Sequence, residues 1–198
     1  AARARIIRPV SDALRDDILD FWFGPPPHVE RAAWFRKDDA FDTAIRHRFG
    51  ANVDAAIDGA YADWARMPRG ALARILLTDQ FTRNIYRGTP RSFSGDPVAL
   101  DTAQRAVAAG HDRELDPLER WFLYLPYEHS ESEKVQEQSL VLFRRLADET
   151  GVRDPLVWAE RHAVIVRRFG RYPHRNAILG RESTPEEIAF LREPGSSF

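Results

Sequence analysis

The feature that most constrains this chain is a repeated punctuation: Asp96-Pro97, Asp116-Pro117, Asp154-Pro155 and Thr184-Pro185 each set a short polar side chain directly before a proline. Such a pair opens a helix. The polar side chain accepts one of the orphan N–H groups of the first turn, and proline at the first helical position loses nothing because its N–H would have had no partner there. Thr184-Pro185-Glu186-Glu187 also has the spacing of a capping box. Apolar residues then recur at the helical period: Phe41, Ile45, Phe49, Val53 and Ile57 step by four, and Trp64 extends the same face. The stripe crosses Gly50 and Gly59, so either one long helix tolerates them or two helices break near Gly50. Further helices are expected from near Ser11, Pro68, Asp96, Asp116, Glu131, Asp154 and Thr184, with turns at Gly24-Pro25-Pro26-Pro27, Gly88-Thr89-Pro90, Gly110 and Gly151. No stretch alternates apolar and polar residues, and Val164-Ile165-Val166 lies where caps and length suit a helix. The expectation is an all-α chain of stacked antiparallel helical hairpins, one domain over residues 1–198, without a solenoid-like sequence period.

Composition narrows the function classes. With 43% hydrophobic residues, five Trp and twelve Phe, 198 residues can bury a large core without disulfides or a structural metal. A net charge of −1 lacks the electrostatic footprint of a protein that tracks phosphate backbones, so nucleic acid is not an expected partner. The absence of cysteine excludes a disulfide framework, Cys-ligated zinc and a thiol nucleophile, and fits a reducing compartment, here the cytoplasm. The string Ala1–Arg8 is charged but has no apolar core of a leader, and the longest apolar run, Trp121–Tyr127, is too short to span a bilayer, so no membrane association is expected. Only Lys37 and Lys134 among the 29 cationic residues are lysine. The rest are arginine, whose planar fork favours bidentate pairing.

No stretch matches a site whose chemistry can be read from residue types and spacing alone, but three polar segments stand out. In Asp79-Gln80-Phe81-Thr82-Arg83-Asn84-Ile85-Tyr86-Arg87-Gly88, the residues Asp79, Arg83 and Arg87 fall at i, i+4 and i+8. They form a polar stripe opposite Leu77, Phe81 and Ile85, which taken alone reads first as a solvated face with an ordinary Asp79–Arg83 ion pair. In Tyr124-Leu125-Pro126-Tyr127-Glu128-His129-Ser130-Glu131, Pro126 is expected to end one helix and Ser130 or Glu131 to open the next. Glu128, Glu131 and His129 are candidate acid–base groups, with Glu131 also suited to a helix first turn. His-Glu-x-x-His and paired Glu-x-x-His motifs are absent, so no metal and no cofactor is assigned. In Phe169-Gly170-Arg171-Tyr172-Pro173-His174-Arg175-Asn176, Gly170 ends a helix, and the loop with Arg181 presents a dense set of donors suited to carboxylate or phosphate. The same arginines could instead pair internally with Asp79, Glu128 and Glu131. His162, within the helix from Asp154, reads as a hydrogen-bonded interior residue.

Together these three strings resemble the hallmark strings of the bacterial domain-of-unknown-function 924 family, as do Ile18-Leu19-Asp20-Phe21-Trp22-Phe23-Gly24, Phe190-Leu191 and Pro194-Gly195-Ser196-Ser197-Phe198. Thr82 stands where the family pattern has proline, and Tyr172 where phenylalanine is usual. The resemblance covers nearly the whole chain. It implies a fold similar to tetratricopeptide-like right-handed superhelices and no established activity.

Three functional readings follow. A cleft in which Arg83, Arg87, Arg171, Arg175 and Arg181, with Asp79 and Asn176, meet a small anionic ligand or a protein or peptide partner comes first. Acid–base chemistry on a small anionic substrate by His129 or His174 beside Glu128 or Glu131 comes second; Ser130 and Ser183 sit in no nucleophile elbow. The third is a salt-bridge network that ties helix ends together and has no ligand.

Overall fold

The computed structural model describes residues 10–197, so Ala1–Arg8 and Phe198, with the expectations placed on them, lie outside the described residues. The main helices are α1 (Val10–Phe23), α2 (Asp39–Ile57), α3 (Pro68–Ile75), α4 (Phe81–Ile85), α5 (Asp96–Ala108), α6 (Pro117–Glu128), α7 (Glu133–Thr150), α8 (Asp154–Phe169) and α9 (Pro185–Phe190). No strand occurs among the described residues. The chain is all-α.

Local chemistry explains most boundaries. Asp116 and Thr184 cap α6 and α9, each in a full capping box closed by Glu119 and Glu187. Asp96 and Asp154 depart from the expectation: they are the first helical residues, behind Gly95 and Arg153. The Asp96 carboxylate is drawn instead to Arg83. Helix α2 runs unbroken through Gly50, with Ile45, Phe49 and Val53 buried. Trp64 lies beyond it, in a short 3-10 turn after the positive-φ Gly59. Pro126 does not end α6, and Glu131 does not open α7, which starts at Glu133 behind Ser132. Every residue from Glu119 to Glu128 is buried, so packing on all sides outweighs the roughly 3 kcal/mol that an interior proline costs.

Between α3 and α4 the rod widens into one π-helical turn, Leu76–Gln80. Gly95, just before α5, is what lets the neighbouring chain pass: a Cβ there would stand 2.0 Å from the Thr78 carbonyl oxygen.

The main core gathers around Trp22, which is fully buried and contacts the rings of Trp34, Phe41, Phe81 and Phe122 at centroid distances of 5.9, 5.7, 5.5 and 5.5 Å. Helices α6, α7 and α8 follow one another as packed neighbours joined by short turns. A smaller apolar cluster, Ile165, Val166, Tyr172 and Phe190, anchors the C-terminal segment. No helix among the described residues is long and apolar enough to cross a membrane.

Candidate functional site

The π-helical turn, the end of α6, the loop after α8 and the segment 30–37 enclose a cleft of about 630 Å³. Buried polar residues line it and lie just beneath its wall. Asp79, 0% exposed, accepts at Oδ1 from His129 Nδ1 at 2.6 Å and at Oδ2 from Gln80 Nε2 at 2.7 Å. Arg83 stands 3.2 Å from Asp79 Oδ1 and sends two parallel bonds of 2.8 and 3.1 Å to Asp96. Of the stripe Asp79, Arg83 and Arg87, expected to face water, the first is fully buried and the second partly so, while Arg87 stays exposed. Burial alone would raise the Asp79 carboxyl, but Arg83 and the His129 contact outweigh it and hold the group well below the usual carboxylate range.

Glu128 has the opposite environment. Burial, helped by the negative charge of Asp79, pushes its carboxyl well above the ordinary value. Its Oε1 lies 3.1 Å from His162 Nδ1, which also reaches the Trp158 carbonyl at 2.8 Å. Burial drives the His162 imidazole down to about 3, and burial with the nearby Arg175 drives His174 down to about 4. His129 is also lowered, by burial first and Arg83 second. All three line the cleft as neutral rings at neutral pH.

Arg175 is 7% exposed, its guanidinium stacked between Phe93 and Tyr172 with centroid distances of 4.7 and 4.6 Å. It donates to the His129 carbonyl at 3.0 Å and approaches Asp96 at 3.5 Å. Arg87 lines the cleft but is held outward by two bonds of 3.0 and 3.1 Å to Asp42. Trp34, Phe35, Trp121, Leu125 and Trp158 form an apolar wall, and Arg36 and Lys37 stand at the rim.

The other expected site residues form a separate brace behind the cleft. Arg181 grips Glu131 with two bonds of 2.7 and 2.9 Å and Asn176 Oδ1 with a third of 3.0 Å. Arg171 grips the buried Glu187 with bonds of 2.7 and 2.8 Å. Asn176 joins the halves through Ser183 at 3.0 Å and Glu187 at 3.3 Å. Forked bonds to Arg171 lower the Glu187 carboxyl to about 2. The single cleft expected for all five arginines is thus corrected: Arg83, Arg87 and Arg175 line it, while Arg171 and Arg181 spend their donors on Glu187 and Glu131. Ser130 and Ser183 are engaged in local turns and in this brace.

Sequence reasoning missed Asp96 as the partner of Arg83 and missed the aromatic wall. Both come from distant segments, and no local pattern marks them. The trio His28, Asp116 and Glu119 has metal-ligand chemistry within 4.8 Å. Asp116 and Glu119 are, however, spent on the capping box, and Glu119 is also paired with Arg69 at 2.9 Å.

A comparison with curated proteins gives no match. Among solved structures, a protein of unknown function, ATU0120 from Agrobacterium tumefaciens, is similar, with 40% identity, a TM-score of 0.83, and coverage of 92% of this chain and 98% of that one. The model of the family described as bacterial protein of unknown function (DUF924) matches residues 18–195. On a match of that extent, the chain belongs to the DUF924 family of bacterial proteins.

Proposed function

We propose that this protein binds a small anionic ligand in the cleft between the π-helical turn and the loop after α8. The observation that carries the reading is the make-up of the wall: Arg36, Lys37, Arg83, Arg87 and Arg175 border one cavity that is also lined by Trp34, Phe35, Phe93, Trp121 and Trp158. Its volume of about 630 Å³ falls in the range of small-molecule sites, which favours a metabolite over a protein or peptide segment. Clustered buried polar groups at a π-helical turn also have the character of a working site. With no cysteine in the chain, a cytoplasmic setting suits the reading.

The test is a thermal-shift screen against carboxylates, phosphorylated metabolites and nucleotides. A ligand at a hundred times its dissociation constant adds about 2.7 kcal/mol, easily seen as a raised midpoint. A hit that disappears in Arg175→Ala supports the cleft. A hit unaffected by Arg175→Ala and Arg83→Met places binding elsewhere.

A second reading, acid–base turnover of that ligand, is favoured by the 2.6 Å contact between Asp79 and His129. A carboxylate at Nδ1 holds the imidazole with its proton there and leaves Nε2 as the accepting nitrogen, the arrangement of an oriented general base. Glu128, kept protonated, is the matching acid. Turnover lost in His129→Gln with ligand binding kept would establish this reading; unchanged turnover would remove it.

A further inference from the structure

Among the residues that line the cleft, Nε of Arg175, Oε2 of Glu128 and Nε1 of Trp121 are buried polar atoms with no hydrogen-bond partner among the described residues. Each is a statement about what is missing. An unsatisfied buried polar group is costly, and a protein that keeps several around one cavity leaves room for a ligand to complete them, the Arg175 and Glu128 atoms being the ones whose charge or proton specifies the partner.

The hydrogen-bonding roles are fixed by geometry. The Trp158 backbone carbonyl can only accept, so His162 Nδ1, 2.8 Å away, carries the ring proton. Glu128 Oε1, 3.1 Å from that same nitrogen, is then an acceptor. No Lys or Arg pairs with Glu128 among the described residues, and the side chain is 3% exposed, so the carboxyl is neutral with its proton on Oε2. Oε2 therefore needs an acceptor that is itself uncharged, since an anion here would also face Asp79. Arg175 Nε needs an acceptor too, and beside a guanidinium a carboxylate is favoured.

Charge limits the anion further. Arg83 and Arg175 are set against Asp79 and Asp96, two cations against two anions. The inner cleft thus carries no net charge, so a ligand of single charge is favoured over a dianion such as phosphate. The same cavity is lined by Trp121, Leu125 and the half-open rings of Phe35 and Trp158, 52% and 42% exposed.

Resting on the reading of the cleft as an anion site, we propose that its ligands are small monocarboxylates that carry an amide or ester carbonyl on an apolar body, with N-acyl amino acids as the simplest members. The carboxylate meets Arg175, the carbonyl oxygen accepts from Glu128 and the apolar body lies on the aromatic wall.

The experiment measures midpoint shifts and dissociation constants of the full chain with N-acetylphenylalanine and N-benzoylglycine. The controls are 3-phenylpropanoate, which lacks the acyl carbonyl, N-acetylphenylalaninamide, which lacks the carboxylate, and inorganic phosphate and succinate. The N-acyl amino acids should bind at least roughly tenfold more tightly than either single-feature control, the equivalent of one good hydrogen bond. Glu128→Gln, which keeps a donor, should preserve the preference over 3-phenylpropanoate, and Glu128→Leu should erase it. Arg175→Lys should weaken the preference over the amide. Equal binding of either single-feature control overturns the proposal, and so does a preference that survives Glu128→Leu. This comparison on the unaltered chain stands even if a variant fails to fold. Shifts with phosphate or succinate but not with the N-acyl amino acids overturn this ligand class and leave the anion cleft standing. Silence with every anion overturns both.

Discussion

Oδ1 of Asp79 lies 2.6 Å from Nδ1 of His129, joining residues 50 positions apart, one buried beneath the cleft and one on its wall. Arg83 completes the group at 3.2 Å from the same oxygen. Three side chains from the π-helical turn, α4 and the end of α6 thus form one charge system, in which changing any member alters the others.

Arg83→Met should be the most damaging of the cleft arginine substitutions. It withdraws the cation from Asp79, which is fully buried, and from Asp96. Breaking a buried pair in this way costs roughly 3 kcal/mol. Chemical denaturation measures it, and parental stability in Arg83→Met would mean that Gln80 and His129 alone hold Asp79.

Glu128→Gln should change the pH dependence of stability with a definite sign. Because the folded carboxyl titrates well above its unfolded value, its contribution is fully present below about pH 4.5 and is lost as pH rises toward the folded value. The stability of the variant relative to the parent should therefore grow by about 1.4 kcal/mol per pH unit across that window, then level off. A difference independent of pH would mean that Glu128 is ionised in the folded protein.

His162→Asn should show the reverse slope. The folded imidazole titrates at about 3, below its unfolded value near 6.5, so its contribution is present above pH 6.5 and is lost as pH falls toward 3. The parent should lose stability with acid more steeply than His162→Asn over that interval. Denaturant midpoints at a series of pH values check it, and parallel curves would count against a neutral buried ring.

Gly95→Ala should destabilise the protein by about 1–3 kcal/mol, because the added methyl carbon would lie 2.0 Å from the Thr78 carbonyl oxygen and something must shift. Gly50→Ala, on α2 with only the Arg46 side chain at 4.0 Å, is the internal control and should be neutral or stabilising. Equal midpoints for the two variants would show that the approach at Gly95 relaxes without cost.

Much of the fold was legible because its signals are local. The capping box at Thr184, the unbroken stripe along α2 and the Gly170 terminus each depend on residues within a turn or so of one another. Pro126 was misread because its tolerance comes from burial on every side of α6, a property of the assembled core. The site was legible in its residue types but not in its partners. Glu128, His129, His174, Arg83, Arg87 and Arg175 do come to one cleft, with Asp79 buried beneath His129, yet Arg171 and Arg181 turn away to carboxylates that only the folded chain brings near. Asp96 looked like a cap and serves Arg83, 13 positions earlier.

The widened turn at Leu76–Gln80 spreads its rotation over one residue more than regular winding needs. Deleting a single position there would restore the regular period and leave the helix on either side facing nearly as before, because the wide turn and the shorter regular one make about the same total rotation. What such an event would remove is the bulge itself, which carries Asp79 to His129 and Gln80 to Asp79. A relative one residue shorter in this turn would share the fold and still present Arg83 while disturbing the carboxylate that orients His129, so the length of this segment, more than its composition, separates chains able to share a ligand from those that share only an architecture.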